Sequence, residues 1–461
     1  MLRPAALAPL LAAAIAAAAL AWAASLHGLH FVDLVGFSRR ARDLAEGRPA
    51  SDGLYPLGLP GWLALAHTAG VALLPAARAL SVAAGALLCG LLGRRLGLAA
   101  ALWLLAQAPF LSWGSTEGTD MPAAALCLAA VLLAERPRLA GLCLGLAMSL
   151  RWTAAAWLLP LALALEPGAR WRALPFLALG FAPHLVGCLW SGAFVLPDQS
   201  LNLAIAAGPG APPPSGPADL LGRVPRGLVQ AASFLLPDVA SRVGAGLGVL
   251  AAALPARSPA GRPVRRLAAA LLLGGVLHAM GLAAVFANPR LALPATLVAL
   301  LGFGLAAVRV VAERAAWRPA VSGVLVALAA ASAWRSLPAL REPPAGAAFV
   351  EALAEALAGC PEPNAPTLAN NALVHTAVAG WLVPAVQLGG LRVTPRTTPL
   401  ALGRMADDAG LRVLVLDPVR TRGQPGLAPL SQGEATEVDG WRRCADRPLR
   451  IWTRADPSPA G

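Results

Sequence analysis

The sequence predicts a polytopic α-helical membrane protein with about eleven transmembrane helices, followed by a small α/β domain in water. Three observations carry that prediction. Of 461 residues, 57% are hydrophobic and only 13% are charged, and the mean hydropathy is +0.64, which is more apolar surface than one aqueous core can hold. Apolar runs near the roughly 20 residues that a bilayer core demands recur throughout residues 1–336. From residue 337 the pattern becomes one of short alternating helices and strands, so the chain divides into a transmembrane domain, 1–336, and a domain at 337–461.

The apolar runs lie at about 5–25, 77–93, 98–114, 121–134, 139–150, 153–165, 173–194, 238–256, 267–287, 291–308 and 319–336. The 37 basic residues are all arginine and the net charge is +13. These arginines stand at the ends of apolar runs and form no single basic face, which argues against nucleic acid as a partner and for membrane topology. With the N-terminus cytoplasmic, Arg3, Arg94, Arg95, Arg136, Arg138, Arg170 and Arg172 fall on one side. So do Arg257, Arg262, Arg265, Arg266, Arg309, Arg314 and Arg318, as cytoplasmic loops require. The C-terminal domain is then extracytoplasmic. An arginine-only, Ala-, Gly- and Pro-rich composition points to a bacterial coding bias, and hence to a bacterial inner (cytoplasmic) membrane.

This alternation holds only if residues 57–74 do not span. Gly58, Pro60, Gly61, His67, Thr68 and Gly70 suit an interfacial or re-entrant helix pair better than a lipid-exposed rod. The first run is read as an uncleaved span. Ala21-Trp22-Ala23 approximates a signal cleavage site, but the apolar core exceeds the usual 7 to 15 or so residues.

Two outer loops carry the candidate chemistry. The first, 25–76, holds Asp33, Arg39, Arg40, Arg42, Asp43, Glu46, Arg48, Asp52 and Tyr55, the only tyrosine. The second, Ser115-Thr116-Glu117-Gly118-Thr119-Asp120, sets two carboxylates at the mouth of a span. A solvated loop charge is the competing reading for each. Asp33 escapes it best, because His30-Phe31-Val32-Asp33-Leu34-Val35 is an apolar context in which a carboxylate must find a partner or a task. Arg151 interrupts an apolar stretch, 139–165, where a mid-membrane charge costs about 2.5 to 3.5 kcal/mol. Two shorter helices with Arg151 and Trp152 at the outer turn remove most of that cost and place Arg151 on the side of Asp33 and Asp120. Its alternatives are snorkelling to headgroups or contact with a phosphate. Arg290, in Asn288-Pro289-Arg290, lies at an outer face with the same two readings.

Gly141 and Gly145 are spaced for close helix packing, and Gly244, Gly246 and Gly248, which imitate part of a dinucleotide fingerprint inside a span, are assigned to packing as well. No HExxH, CxxC or Walker loop is present. The Gly- and Pro-rich loop at 196–227 reads as a mobile cover. Cys89, Cys127, Cys143 and Cys188 fall in spans, whereas Cys360 and Cys444 lie in the outer domain, where an oxidising compartment favours a disulfide between them. In that domain 347–357 reads as an amphipathic helix and 411–417 as a buried strand after a helix ending near Gly410. His375 is read as a packed or surface histidine more readily than as a ligand.

Several blocks, taken in order, resemble the integral-membrane glycosyltransferases of the GT-C fold. The likeness covers about 1–340 and is nearest the aminoarabinose-transferase and protein O-mannosyltransferase branch, glycosyltransferase family 39. Asp33 with Phe37 four residues on looks like that family's aspartate and aromatic, and Ala45-Glu46-Gly47 with Leu54-Tyr55-Pro56-Leu57 resembles the segment that follows. Residues 57–74 then match its juxtamembrane helices. Ala77-Arg78-Ala79-Leu80-Ser81 through Gly93-Arg94-Arg95 is similar to its next span, and Thr119-Asp120-Met121-Pro122 to its second-loop aspartate. Ala140-Gly141-Leu142 through Arg151 and the stretch from Arg290 to Pro294 resemble its later basic motifs. Phe37 stands where a tyrosine is common, and no acidic residue adjoins Asp33 to make a metal-binding pair, so no divalent metal or other cofactor is expected.

The resemblance implies transfer of a sugar from a polyprenyl-phosphate donor to a glycan, lipid or protein acceptor at the outer face. The residues fit that chemistry. Arginines at headgroup depth stabilise the phosphate charge that develops as the glycosidic bond breaks. One carboxylate that accepts the acceptor's proton gives a single displacement with inversion. The assignment is Asp33 as base, Asp120 as a second carboxylate orienting base or acceptor, Arg151 and Arg290 as phosphate contacts, and Glu117 and Tyr55 as further substrate contacts. A transporter or flippase, and a polysaccharide polymerase or ligase of another fold, are the competing classes. No inverted repeat supports the first, and the largest internal loop is early, where the second would place it late.

Overall fold

The computed structural model describes residues 4–26, 33–48, 56–191, 219, 222–225, 227–229, 236–285, 291–341, 347–362, 365, 367–369, 386–387, 396–418, 421 and 425–455. The chain divides into two compact units, Met1–Glu342 and Pro343–Gly461. The first is helical throughout its described residues. Its helices are α1 (Pro4–Ser25), α2 (Asp33–Ala45), α3 (Gly58–Thr68), α4 (Leu73–Arg95), α5 (Leu98–Leu105), α6 (Ala108–Gly114), α7 (Asp120–Leu132) and α8 (Pro137–Leu150). A 3-10 segment (Trp152–Trp157) leads into α9 (Leu158–Ala164), and α10 (Pro167–Ser191), α11 (Val239–Ala253), α12 (Gly261–Val285), α13 (Leu293–Glu313) and α14 (Arg318–Arg341) follow.

Every apolar run identified in the sequence is helical, but the runs are of two kinds. Among the described residues, six helices are long and apolar enough to cross a membrane. The other five runs form shorter or broken helices. The run at 98–114 breaks where Gln107 turns extended (φ −83°, ψ 132°) ahead of Pro109, and α7, α8 and α11 have 13, 14 and 15 residues. At a rise of about 1.5 Å per residue these reach only some 20 to 22 Å, short of the roughly 30 Å hydrocarbon core. Helix α7 is tolerated because it sits inside protein, all but one of its residues being buried, whereas in α11 only Ser241, Gly244, Gly248 and Ala251 are buried. Some of the long helices are far more exposed than α7. Only 17% of the apolar window at Ala315–Pro338 is buried inside the protein, and Leu179, Val186, Leu189 and Val324 all face outward. Apolar surface on that scale needs lipid as its solvent, and the protein is a multi-pass membrane protein.

Close helix approach follows the glycines. A Cβ added at Gly141 or Gly145 of α8 would collide with the carbonyls of Ala173 and Leu177 of α10, and one at Gly180 with that of Leu142. Gly244 of α11 meets α13 in the same way at Ala299 and Gly302. Gly246 faces open space, whereas Gly248 lies against the Gly302 backbone, so of that trio Gly244 and Gly248 pack against α13.

Among the described residues between α1 and α4, no helix is long and apolar enough to cross a membrane. Helix α2 buries Leu34, Phe37, Ser38 and Ala41 on one face. Helix α3 has 11 residues, about 16 Å. It is stitched to the bundle: the Leu57 N–H donates to Nδ1 of buried His184 at 3.2 Å, and Trp62 Nε1–H donates to the Ala76 carbonyl at 3.2 Å. Gly58 lies so near Ser149 that no side chain fits between them.

The second unit begins at Pro343, because α14 continues beyond residue 337 to Arg341. It is an α/β unit around a six-stranded sheet. Helix α15 (Ala347–Ala358) precedes β1 (Thr367–Ala369) and β2 (Val386–Gln387), and α16 (Pro399–Asp408) precedes β3 (Val413–Leu416), β4 (Glu437–Val438), β5 (Trp441–Ala445) and β6 (Arg450–Arg454). The order is β2-β1-β3-β6-β5-β4, parallel from β2 to β3 and antiparallel from β3 to β4. Strand β3 is buried on both faces, as its unbroken Val-Leu-Val-Leu run requires. Leu414 and Leu416 pack with Leu402, Ala406, Trp441 and Trp452, and Val413 and Val415 pack with Leu353, Leu357 and Ile451. Gly410, at φ +66°, turns the chain from α16 into β3. Cys360 and Cys444, 84 residues apart with Cα atoms 5.7 Å apart, form a disulfide.

Candidate active site

Helices α7 and α8 form a hairpin that explains the site. Their lengths are nearly equal, and only residues 133–136 separate them. The first residue of α7 and the first after α8 therefore come side by side at the far end. These are Asp120 and Arg151. A carboxylate at a helix N-terminus and a cation at a helix C-terminus are each favoured by the local dipole, so both charges are partly stabilised before they meet. They then pair directly, with the Arg151 guanidinium 2.5 Å from Asp120 Oδ1 and the side chains only 13% and 4% exposed. Arg151 leaves α8 in an extended conformation (φ −149°, ψ 131°), which turns it out of the helical path.

A second buried pair lies three residues earlier on the same connection. Glu117 is fully buried, and Arg78 of α4 donates through Nε to its Oε2 at 3.3 Å. The same guanidinium donates through Nη1 to the Ala24 carbonyl at 3.0 Å, near the C-terminus of α1. Both carboxylates of the second loop are thus buried and ion-paired, not solvated.

A small void of about 10 Å³, room for one water at most, adjoins Asp120 and Arg151 and is lined also by Cys127, Thr153, His278, Leu291 and Pro294. His278, on α12, is 2% exposed, and its Nε2–H donates to the Leu291 carbonyl at 2.8 Å. That bond places the proton on Nε2 and leaves Nδ1 of a neutral ring as an acceptor. Next to Arg151, the Trp152 ring stands edge-on to His184 with centroids 4.6 Å apart. Since His184 also accepts from Leu57, the turn carrying Arg151 and the start of α3 share one anchor.

Beside this polar cluster runs an apolar groove of about 1000 Å³ between α3, α4, α7, α8 and α10. Pro122 and Leu150, close neighbours of Asp120 and Arg151 in sequence, lie in its wall, together with Trp62, Leu87, Val186 and Trp190.

Of the residues predicted from sequence, the structure brings Asp120 and Arg151 into contact and sets Glu117 against Arg78. Asp33 is the first residue of α2, and its side chain lies outside the described residues, as do Tyr55 and Arg290. His375 and most of 196–227 lie outside them too. Sequence reasoning missed Arg78 and His278. Arg78 carries a visible signal, a charge within the apolar approach to α4. His278 carries none, because one histidine in a 25-residue apolar helix gives no indication of its partner.

Scans of the sequence against family models and against curated proteins return no match. The fold is nonetheless defined. It is the GT-C fold, as the ordered motifs of the sequence led one to expect. The chain superposes on ArnT from Cupriavidus metallidurans, solved with undecaprenyl phosphate bound, with a TM-score of 0.59 and 14% identity over 97% of this chain and 98% of that one. It also matches archaeal oligosaccharyltransferase AglB from Archaeoglobus fulgidus, solved with an inhibitory peptide and dolichol-phosphate. There the TM-score is 0.50 and the identity 13%, over 98% of this chain and 75% of that one. At such identities the likeness is one of fold.

Proposed function

We propose that the protein is a membrane glycosyltransferase that moves a sugar from a polyprenyl-phosphate donor to a hydroxyl or amine of an envelope glycan, lipid or protein. The observation that carries this reading is the buried Asp120–Arg151 pair, whose sequence neighbours Pro122 and Leu150 line the apolar groove. A polyprenyl-phosphate sugar has two unlike ends, a long hydrocarbon chain and an anionic phosphate at headgroup depth. The groove offers the first a wall of aliphatic and tryptophan side chains, and Arg151 offers the second a guanidinium. A solved protein of this fold binds undecaprenyl phosphate, which supports the same ligand class here.

The chemistry follows from charge. As the anomeric carbon–oxygen bond breaks, negative charge builds on the leaving phosphate, and a preorganised cation there lowers the barrier. Arg151 carries five N–H donors, enough to hold Asp120 and a phosphate oxygen together. Asp120 therefore acts as a positioning residue: it holds the guanidinium in place and offsets the cost of burying it. Arg290 is assigned as a second phosphate contact, with Tyr55 and Glu117 as further substrate contacts. Glu117 takes its part through Arg78. Asp33 is the general base, taking the proton of the incoming hydroxyl or amine, and a single displacement inverts the anomeric configuration. No metal takes part in this scheme, since Arg151 already balances Asp120 and no acidic neighbour adjoins Asp33. The second unit is assigned to the extracytoplasmic face of a bacterial inner membrane, with the N-terminus in the cytoplasm.

The test is transfer by the purified protein in lipid from a synthetic polyprenyl-phosphate sugar. Sugar-dependent release of polyprenyl phosphate, abolished in Arg151→Ala, supports the assignment. Movement of the lipid across the bilayer without cleavage would favour a flippase instead.

A further inference from the structure

At the end of the bundle away from Asp120 and Arg151 lies a second cleft, of about 940 Å³. The C-terminal ends of α4, α7 and α9 and the N-terminal ends of α8, α10 and α12 converge there. Its rim holds four arginines, Arg95, Arg172, Arg262 and Arg266, against two glutamates, Glu135 and Glu166. Its floor is apolar, with Leu96, Val131, Leu267 and Val308 among the lining residues.

The arginines are of two kinds. Arg95 donates to the Leu132 carbonyl at 2.8 Å and pairs with Glu135 at 2.7 Å, and Arg266 donates to the carbonyls of Leu163 and Leu165 at 3.0 and 2.7 Å. Those two cap helix ends and fix the shape of the cleft. Glu135 is held by Arg94 as well, at 2.8 Å, so its charge is already balanced. Arg172 and Arg262, from α10 and α12, are exposed and have no hydrogen-bond or ion-pair partner among the described residues. A preference for arginine in cytoplasmic loops accounts for their presence in the chain. It does not account for two uncommitted guanidiniums lining one cleft above an apolar floor, with the positive ends of three helices beside them.

We infer that this cleft binds an anionic phospholipid, its phosphodiester on Arg172 and Arg262 and its acyl chains on the apolar floor. Both features are needed to single out this ligand. A soluble anion would use the arginines but not the floor, and a zwitterionic lipid would leave the excess positive charge unbalanced. Basic pockets between spanning helices at headgroup depth suit phosphatidylglycerol and cardiolipin in this way. The site is separate from the proposed donor groove, and the inference does not depend on the glycosyl-transfer reading.

Native mass spectrometry of the full-length protein, stripped of lipid in detergent and titrated with phosphatidylglycerol, cardiolipin or phosphatidylcholine, tests it. Arg172→Ala/Arg262→Ala should require about thirtyfold more anionic lipid for equal occupancy, at roughly 1 kcal/mol per arginine near a charged headgroup. The control Arg170→Ala/Arg318→Ala removes the same charge from exposed positions at this end but outside the cleft, and should bind as the wild type does. Equal binding of phosphatidylcholine, equal loss in the control, or no difference between the cleft variant and the wild type would overturn the inference. Displacement of the lipid by millimolar inorganic phosphate would assign the cleft to a free anion and overturn it equally.

Discussion

Asp120 and Arg151 allow the reasoning about the site to be put at risk without knowledge of the sugar. Their side chains are 4% and 13% exposed and their charged atoms are 2.5 Å apart. Removing one partner strands a buried charge, and such losses run to about 3 to 5 kcal/mol. Removing both strands nothing. Asp120→Ala and Arg151→Met should each destabilise the bundle by about that amount, and the double variant should be less destabilised than either single one, recovering more than half of the summed loss of roughly 6 to 10 kcal/mol. Reversible unfolding in mixed micelles, followed by helical dichroism, measures all four corners of the cycle. Transfer should behave differently. It should be absent from both variants that lack Arg151, however well folded, because the guanidinium is assigned to the phosphate and not only to Asp120. Additivity within about 0.5 kcal/mol would mean that the two residues are not coupled. Full transfer by the well-folded double variant would remove Arg151 from the mechanism.

The other predictions concern different regions. Asp33→Asn keeps the size and hydrogen bonding of the side chain but removes the base, so transfer should fall by about 10² to 10⁴ while folded protein accumulates normally; undiminished transfer by the purified variant would exclude Asp33 as base. Reduction of the Cys360–Cys444 bond, which closes a loop of 84 residues, should cost the second unit roughly 2 to 4 kcal/mol, and non-reduced peptide mapping that finds both thiols free would remove the bond. Asp407 is held below its ordinary pKa by a side-chain hydrogen bond from Arg454. Its contribution is therefore present above the ordinary carboxylate range and lost as pH falls through the lowered value. Protection of the α16 amides from exchange, corrected for intrinsic rates, should weaken on acidification below about pH 4 in the wild type and show less of that weakening in Asp407→Asn. Identical pH dependence in the two proteins would contradict it.

The helices were legible in the sequence and the lengths of the spans were not. Apolar content located the helices of the long apolar runs, because hydrophobic content is a local property, but not α2, which lies in a stretch read as an outer loop. Whether a run crosses lipid or ends inside protein depends on its neighbours. The 13 residues of α7 read as a short span but are almost wholly enclosed by other helices. The same holds at 98–114, where Gln107 and Pro109 break a run that hydropathy alone makes continuous. Gly141 and Gly145 were legible as packing sites, since their four-residue spacing places both on one face. Gly246 was misassigned because its neighbours Gly244 and Gly248 share a face two residues out of phase with it.

For the site, the legible part was the part that hairpin geometry determines. Two helices of 13 and 14 residues joined by a short turn must bring their outer ends together, so a charge just beyond each end is a pair waiting to be inferred. Asp120 and Arg151 satisfy that rule from the sequence alone. The Glu117–Arg78 pair breaks it: it joins residues 39 apart on elements that are not hairpin partners, and no local spacing announces it. His278 is further removed, since its partner Leu291 is a backbone carbonyl, and any residue type could have supplied that acceptor. The bonds that escaped the sequence are thus those made across the bundle between non-consecutive helices, or to backbone. The geometric consequence is that Glu117 and Asp120 are each buried against their own arginine, so each carboxylate is already engaged by a guanidinium. The proposed mechanism accordingly places the general base outside these two pairs, at Asp33 at the head of α2, and Asp33→Asn is the variant that puts that assignment at risk.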